Sequence, residues 1–486
     1  MRFPAAHSLR SFAVVCLLLA IPGCVCADTI YLKNGRKITA TRVVTENGQV
    51  SYETPAGRLS FPLSIVDRVV HDDSSPISTV GTPADRAANL PIAPPDALAK
   101  PSADPAASGA VRDGSIDTGL LSKLESEATA NSTPTAVARV VAAESASAQF
   151  EISVGDFERA VAHYNVGLSF DPDNIGLLLE DAYLHLKRSE YSAASDLLDR
   201  ARRIDPDSAE VAKLSGWAYY GLNRAADAVS QWKRAMELSP DDETKHALEK
   251  AERDAQEEAE YHEGETTHFR LKYNGGAAPD LARDVLKTLE SEFDEISVTL
   301  NYTPPEPIGV ILYTNQTFSD ITRAPAWVGA LNDGRIRVPV EGLTVMTPEL
   351  SRVLKHELTH SFVGQKTGGH CPVWLQEGIA QYMEGKRSRT NAAALTAAFE
   401  QHMEISLNSY ETSWMNLPRD AASTAYAWSL AVVEEIITVN GMDDLGRILD
   451  RLAAGSSTED AVRAVLHDDY ASLMLSTAQF LHKAYL

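Results

Sequence analysis

His356-Glu357-Leu358-Thr359-His360, followed by Trp374-Leu375-Gln376-Glu377-Gly378-Ile379-Ala380, is the stretch on which the reading of this chain turns. Residues four apart on an α-helix differ by only about 40° around its axis, so His356 and His360 project from one face toward one point. Thr347-Pro348 supplies an N-cap hydroxyl and a proline at the first helical position. Leu350, Val353, Leu354, Phe362 and Val363 supply apolar positions, and Gly368-Gly369 ends the helix. Pro372 then reopens structure ahead of Trp374, which puts Glu377 in the first turns of a second short helix. Antiparallel packing of the two helices would bring its carboxylate beneath the imidazoles.

Two imidazoles and a carboxylate form a zinc ligand set that leaves a fourth position open for water, whose pKa falls toward neutrality. Glu357, one residue after the first histidine, is the natural general base for that water. Two surface histidines flanking a solvated Glu357 would account for the five-residue motif by itself. They do not account for an acidic residue beside glycine within an apolar run.

The two motifs together resemble the gluzincin metallopeptidases, in particular the peptidase-MA-like group and, more distantly, the aminopeptidase N family. In the latter a Trp-Leu-Asn-Glu-Gly-Phe-Ala element carries the third zinc ligand. The resemblance implies Zn2+ held by His356, His360 and Glu377, with Glu357 as base and proton shuttle in peptide-bond hydrolysis. Tyr426, in Ala425-Tyr426-Ala427-Trp428-Ser429-Leu430, is placed like the oxyanion-stabilising tyrosine of aminopeptidase N relatives. An ordinary buried helical tyrosine is the alternative there.

The departures are informative. Four residues past Glu377 stands Gln381 rather than the aspartate of thermolysin-like enzymes, able to orient a ligand by hydrogen bonding but not by charge. Gly329-Ala330-Leu331-Asn332 lacks the glutamate with which aminopeptidases bind a substrate amino terminus, so that specificity is not implied. Arg335-Ile336-Arg337-Val338-Pro339-Val340 alternates like an edge strand, either pairing with substrate backbone or simply bordering a sheet.

A second signal is a repeat. Pro172, Pro206 and Pro240 are spaced by 34 residues, and on that register Ala160, Ala194 and Ala228 align. So do Tyr164, Leu198 and Trp232, then Gly167, Ala201 and Ala235. The pattern resembles tetratricopeptide repeats, with small residues where paired helices touch and large ones filling the gap between pairs. Three such repeats make a short groove for a peptide or partner protein; a rigid spacer docked on the C-terminal part is the other reading. The Glu- and Lys-rich run from Pro240 through Glu260 reads as a solvated capping helix.

Residues 1–27 carry Arg2 and Arg10, an apolar core from Phe12 to Ile21 and Val25-Cys26-Ala27, the pattern of a secretory signal peptide. Export across the inner membrane to a periplasm follows. Cys24 after Gly23 is an alternative lipid attachment site, which the preceding Pro22 fits poorly. Three of the four cysteines lie in that segment, so Cys371 stands alone in the mature chain and no internal disulfide framework forms. The net charge is −23, which disfavours nucleic acid and anionic membrane surfaces as partners.

The alternation over residues 28–72, with turns at Asn34-Gly35, Asn47-Gly48 and Ala56-Gly57, describes a small β-sheet or barrel domain. A Pro-, Ala- and Ser-rich linker is expected at 73–137, tetratricopeptide repeats at 138–262 and the peptidase-MA-like catalytic domain at 263–486. The fold class is multidomain: a small β domain, an all-α repeat module and an α+β gluzincin-like metallopeptidase domain. The expected function is a secreted zinc metallopeptidase hydrolysing peptide bonds by a zinc-activated water. A non-catalytic envelope scaffold working through its repeats is the competing class.

Overall fold

The computed structural model describes residues 27–32, 37–46, 48–54, 57–63, 66–70, 109–112, 114–274, 279–314, 317–318, 330–340, 342–404, 406–412, 414 and 419–486. The signal segment up to residue 26, the last two residues of the expected small domain (71–72) and the part of the expected linker from 73 to 108 lie outside them. The small domain is a five-stranded antiparallel sheet of β1 (Ala27–Leu32), β2 (Lys37–Glu46), β3 (Gln49–Thr54), β4 (Gly57–Pro62) and β5 (Val66–Val70), in the order β4-β3-β2-β1-β5. Gly48 takes φ +76° in the tight turn joining β2 to β3, a left-handed conformation that glycine adopts without strain.

The expected linker boundary at 137 is corrected. A short hairpin of β6 (Val111–Arg112) and β7 (Ser115–Ile116) leads into α1 (Thr118–Ala130), capped by Asp117, whose carboxylate accepts from Leu120 N. Leu121, Leu124 and Ala128 of α1 bury against Val140 and Ala143. Three apolar positions at helical spacing suffice to order a segment whose composition reads as tether.

The repeats are the helix pairs α2 (Pro134–Ser153) with α3 (Phe157–Phe170), α4 (Ile175–Lys187) with α5 (Tyr191–Ile204), and α6 (Ala209–Gly221) with α7 (Ala225–Leu238). Ala160, Ala194 and Ala228 are wholly buried at 0% exposure, as the 34-residue register requires of helix contact points. Tyr164, Leu198 and Trp232 fill the space between pairs. A Cβ at Gly216 would meet the Trp232 ring at 2.3 Å, so only glycine lets that indole lie across α6 and donate to the Lys213 carbonyl.

Helix α8 (Asp242–Glu258) closes the repeats and presents a solvated face through Glu243, Lys245, Glu249 and Glu252, but its opposite face is not solvated. Lys250, Asp254 and Glu258 are buried against the next domain. That domain opens with β8 (His262–Glu265), β9 (Phe269–Tyr273), α9 (Pro279–Leu300), β10 (Ile308–Tyr313), β11 (Leu331–Asn332) and β12 (Ile336–Pro339). The strand order is β11-β12-β10-β9-β8, and β10 runs parallel to both neighbours. The parallel β9–β10 pair is connected through α9, whose Leu281, Val285, Leu289 and Phe293 bury against the sheet.

The 335–340 stretch is therefore not an edge strand: β12 is interior, and two-residue β11 forms the edge. Its alternation is real, but Arg335 and Arg337 point into the protein at 2% and 0% exposure, where the acids of α8 meet them. A polar face can be satisfied by buried countercharge as well as by water.

Beyond the sheet the chain is helical. Helix α10 (Pro348–Lys366) starts at the Thr347 cap, whose hydroxyl accepts from Leu350 N, and stops at Gly368 and Gly369, both at positive φ. It is followed by α11 (Val373–Met383), α12 (Ala392–Glu400), α13 (Arg419–Val439), α14 (Met442–Ala453), α15 (Thr458–Leu466) and α16 (Tyr470–Tyr485). Leu354, Leu358 and Phe362 pack α10 into the same core as the sheet, α11 and α13.

Candidate metal centre

The site is built where α10 passes α11. The core face of α10 is fixed by its buried leucines, which leaves His356 and His360 on the opposite face, one turn apart. Their Nε2 atoms stand 3.2 Å apart. Glu377 Oε2 lies 3.4 Å from His356 Nε2 and 3.7 Å from His360 Nε2. These three donors form the cluster of metal-competent side chains found among the described residues.

Glu377 is held by its neighbour. A Cβ on Gly378 would lie 2.3 Å from the Ser429 carbonyl oxygen of α13, so α11 and α13 approach with only hydrogen between them. Glycine after the acidic residue thus sets the depth at which Glu377 sits. Its Oε2 is buried and makes no hydrogen bond of ordinary geometry among the described residues, an arrangement that costs stability without a countercharge. Three donors around a tetrahedral cation with metal–ligand distances near 2.1 Å stand about 3.4 Å apart, so the observed separations fit such an ion.

Both rings are oriented from behind. Glu384, at the end of α11, lies 3.3 Å from His356 Nδ1 and is itself paired to Lys386 Nζ at 2.8 Å. The Gln376 side chain favours the charged form of His360 and donates Nε2 to the Cys371 carbonyl at 3.0 Å. Such partners fix ring orientation and raise ligand basicity. The two imidazoles are pulled in opposite directions. Burial disfavours charge on His356, but the nearby carboxylates of Glu377 and Glu384 outweigh it and carry its pKa up to about 10. Burial takes His360 down to about 4, only partly offset by Glu377. Glu377 faces both rings, and its pKa is lowered because His360 and His356 overcome its burial.

Glu357 lines the same cleft and is 8% exposed. Burial pushes its carboxyl up to about 7; His356 opposes this, while the negative charges of Glu377 and Glu384 add to it. Its backbone carbonyl accepts from Asn332 Nδ2 at 2.7 Å, and the same amide donates to Ser361 Oγ. The edge strand is thereby fastened to the histidine helix. Tyr426 also lines the cleft, its ring edge-on to Trp414 at 5.0 Å. Burial, then the charges of Glu377 and Glu357, push its phenol well above the ordinary value, so it stays a hydrogen-bond donor.

Comparison with known families adds the following. Residues 300–482 match the family model of the Peptidase MA superfamily, and residues 151–218 match that of the tetratricopeptide repeat. The chain carries a Peptidase MA superfamily domain. No curated protein matches it. The Peptidase MA match holds His356, Glu357, His360, Glu377, Glu384 and Tyr426, and it stops short of the repeats. The protein is thus metallopeptidase-like, with tetratricopeptide repeats of the kind that engage other proteins, and among its described residues no helix is long and apolar enough to cross a membrane.

All five sequence-predicted residues of the Peptidase MA domain converge on the cleft. Gln381 does not orient a ligand: its Nε2 donates to the backbone carbonyls of Glu377 and Tyr426, stitching α11 to α13. The orienting acid is Glu384, which the sequence reading missed. Its position seven residues past Glu377, two helical turns along one face, was the available signal.

Proposed function

We propose that this chain is a zinc-dependent peptidase, exported across the inner membrane to the periplasm, that hydrolyses peptide bonds with Glu357 as general base. One observation carries the reading: the donor atoms of His356, His360 and Glu377 meet within 3.2 to 3.7 Å at a cleft that Glu357 and Tyr426 share. His356 and His360 would hold zinc through Nε2 and Glu377 through Oε2. When bound, zinc supplies Lewis acidity, polarising a peptide carbonyl and making water acidic.

The chain's own residues supply the rest. Glu357, whose pKa burial places near neutrality, takes a proton from the attacking water and passes it to the leaving amine. Tyr426 donates a hydrogen bond to the developing oxyanion. Glu384 and Gln376 keep the two imidazoles from turning. The repeats hold the substrate or a partner protein.

The test pairs metal content with digestion of an unfolded protein. Glu357→Gln keeps stoichiometric zinc and loses about 10²–10⁴-fold in hydrolysis, whereas His360→Ala loses both. A chelator abolishes wild-type cleavage and zinc restores it. Turnover retained by the Gln variant overturns the assigned base, and wild-type protein that neither binds zinc nor cleaves leaves a scaffold protein in its place.

A further inference from the structure

The cleft at the His356–Glu377 cluster is not enclosed by the Peptidase MA domain alone. Lys187, Ser189 and Tyr191, in the turn from α4 to α5, and Gly221, at the end of α6, line it together with the metal-site residues. All four belong to the repeats.

This border is fixed rather than tethered. The Glu306 carboxylate, just before β10, accepts from Ser192 N at 2.8 Å and Ser192 Oγ at 3.0 Å, which clamps the start of α5 onto the catalytic sheet. A Cβ at Gly221 would lie 2.3 Å from the Tyr191 ring, so the phenol lies flush on the α6 backbone. The Lys187 carbonyl oxygen is 4.0 Å from where a Cβ of Gly368 would stand, so the repeat turn also abuts the end of the histidine helix. Ser189 holds φ +60° without being glycine, a conformation that persists where surroundings impose it.

The cleft so bounded measures about 450 Å³. That is the size that encloses a drug-sized ligand, roughly three or four residues of extended chain. The substrate class that fits is an extended segment of unfolded polypeptide or a short peptide, running from the metal ligands to the repeat turn.

We propose that the turn Lys187–Tyr191 of the second repeat is a substrate subsite of the catalytic cleft, through which the repeats select the extended segment that reaches the metal site. This rests on the zinc-peptidase reading and adds a role separate from partner binding on the concave face of the repeats.

The test uses the full mature chain loaded with zinc and three hydroxamates: acetohydroxamate, tetraalanine hydroxamate extending on the amino side of the scissile position, and a succinyl hydroxamate of trialanine extending on the carboxyl side. Lys187→Trp and Ser189→Trp each weaken one of the two peptidyl hydroxamates at least tenfold and leave acetohydroxamate within twofold. Lys233→Trp, on the exposed face of α7, leaves all three within twofold. Unchanged affinities for both peptidyl ligands in both cleft variants refute the subsite even if the enzyme cleaves peptides. Discrimination by length in a protein that binds hydroxamates but cleaves nothing upholds the subsite and overturns peptidase activity. Wild-type protein that fails to bind acetohydroxamate refutes the zinc reading and this inference with it.

Discussion

Replacing Arg337 with leucine should loosen the joint between the repeats and the mixed sheet of the C-terminal domain by about 3–5 kcal/mol, the usual cost of removing one partner from a buried ion pair. The figure belongs at the upper end because every donor of this guanidinium is engaged at 0% exposure. Nε donates to both oxygens of Asp333 at 2.9 Å. Nη1 donates to Asp254 at 2.8 Å and to the Tyr313 hydroxyl at 2.6 Å. Nη2 donates to Asp254 at 3.0 Å and to the Tyr220 hydroxyl at 3.1 Å. The leucine variant strands two carboxylates in a dry interface with only Arg335 and Lys250 as countercharge. Hydrogen exchange of the α8 amides in urea-free buffer reads the opening free energy directly, and protection there should fall about 10²–10³-fold or more. Peptide hydrolysis should fall as well, because Asp333 neighbours Asn332, whose amide holds the Glu357 carbonyl. Arg337→Leu combined with Asp254→Leu should cost less than the sum of the two single changes. A single-variant loss below about 1 kcal/mol, or strict additivity in the pair, refutes the account of this network.

Three further outcomes follow from the same coordinates. Glu384→Ala frees the His356 ring and should weaken zinc binding about 10–100-fold, measured by competition with a chelator, while Glu384→Gln recovers part of it; unchanged affinity would remove Glu384 from the site. Tyr426→Phe should lower kcat about 10²–10³-fold with KM little changed, the mark of a hydrogen bond made in the transition state; a loss confined to KM would assign Tyr426 to substrate binding. Acid should release the joint. Burial alone would raise the Asp254 pKa, but Arg335 and Arg337 reverse this and take it down to about 2, and Asp333 is lowered in the same way. A depressed carboxylate contributes its full stability above its ordinary value near 4 and loses it as pH falls through the folded value, so the difference in urea midpoint between wild type and Arg337→Leu, in which the other titrating groups cancel, should hold steady from pH 7 to 5 and shrink between pH 4 and 2, with Asp254 accounting for about 2 kcal/mol.

What could be read from the sequence was local in the chain. The histidine helix announces itself through a cap, a proline, a 3.6-residue apolar period and two stop glycines, all within about one element. The repeats announce themselves because the 34-residue register places Ala160, Ala194 and Ala228 at identical contacts. The strand Ile308–Tyr313 is an unbroken apolar run, and all six of its residues are buried. What could not be read depends on pairing across long stretches of chain. Asp254 and Arg337 are 83 residues apart, and nothing in either neighbourhood distinguishes a solvated charge from one awaiting a buried partner. The α8 run therefore read as a wet face and the β12 arginines as a sheet border. The helix at 118–130 was hidden for a different reason: its apolar side is only three residues wide and sits in an Ala- and Ser-rich background. Glu384 is legible in principle, since it shares a helix face with Glu377, but it stands seven residues on rather than the four of the thermolysin-like spacing.

The joint between α8 and β12 bears on how this protein can be divided. A fragment beginning at residue 300, where the Peptidase MA match begins, would lack β8, β9 and α9, and with them one of the two strand partners of β10 and part of the core beneath α10. One beginning after Glu258 would keep those elements but expose Arg335 and Arg337 without Asp254 and Glu258, leaving Asp333 to pair with Arg337. Two recognisable modules in the sequence share one buried ion-pair network in the fold, and the Peptidase MA half takes part of its electrostatic balance from the helix that closes the repeats.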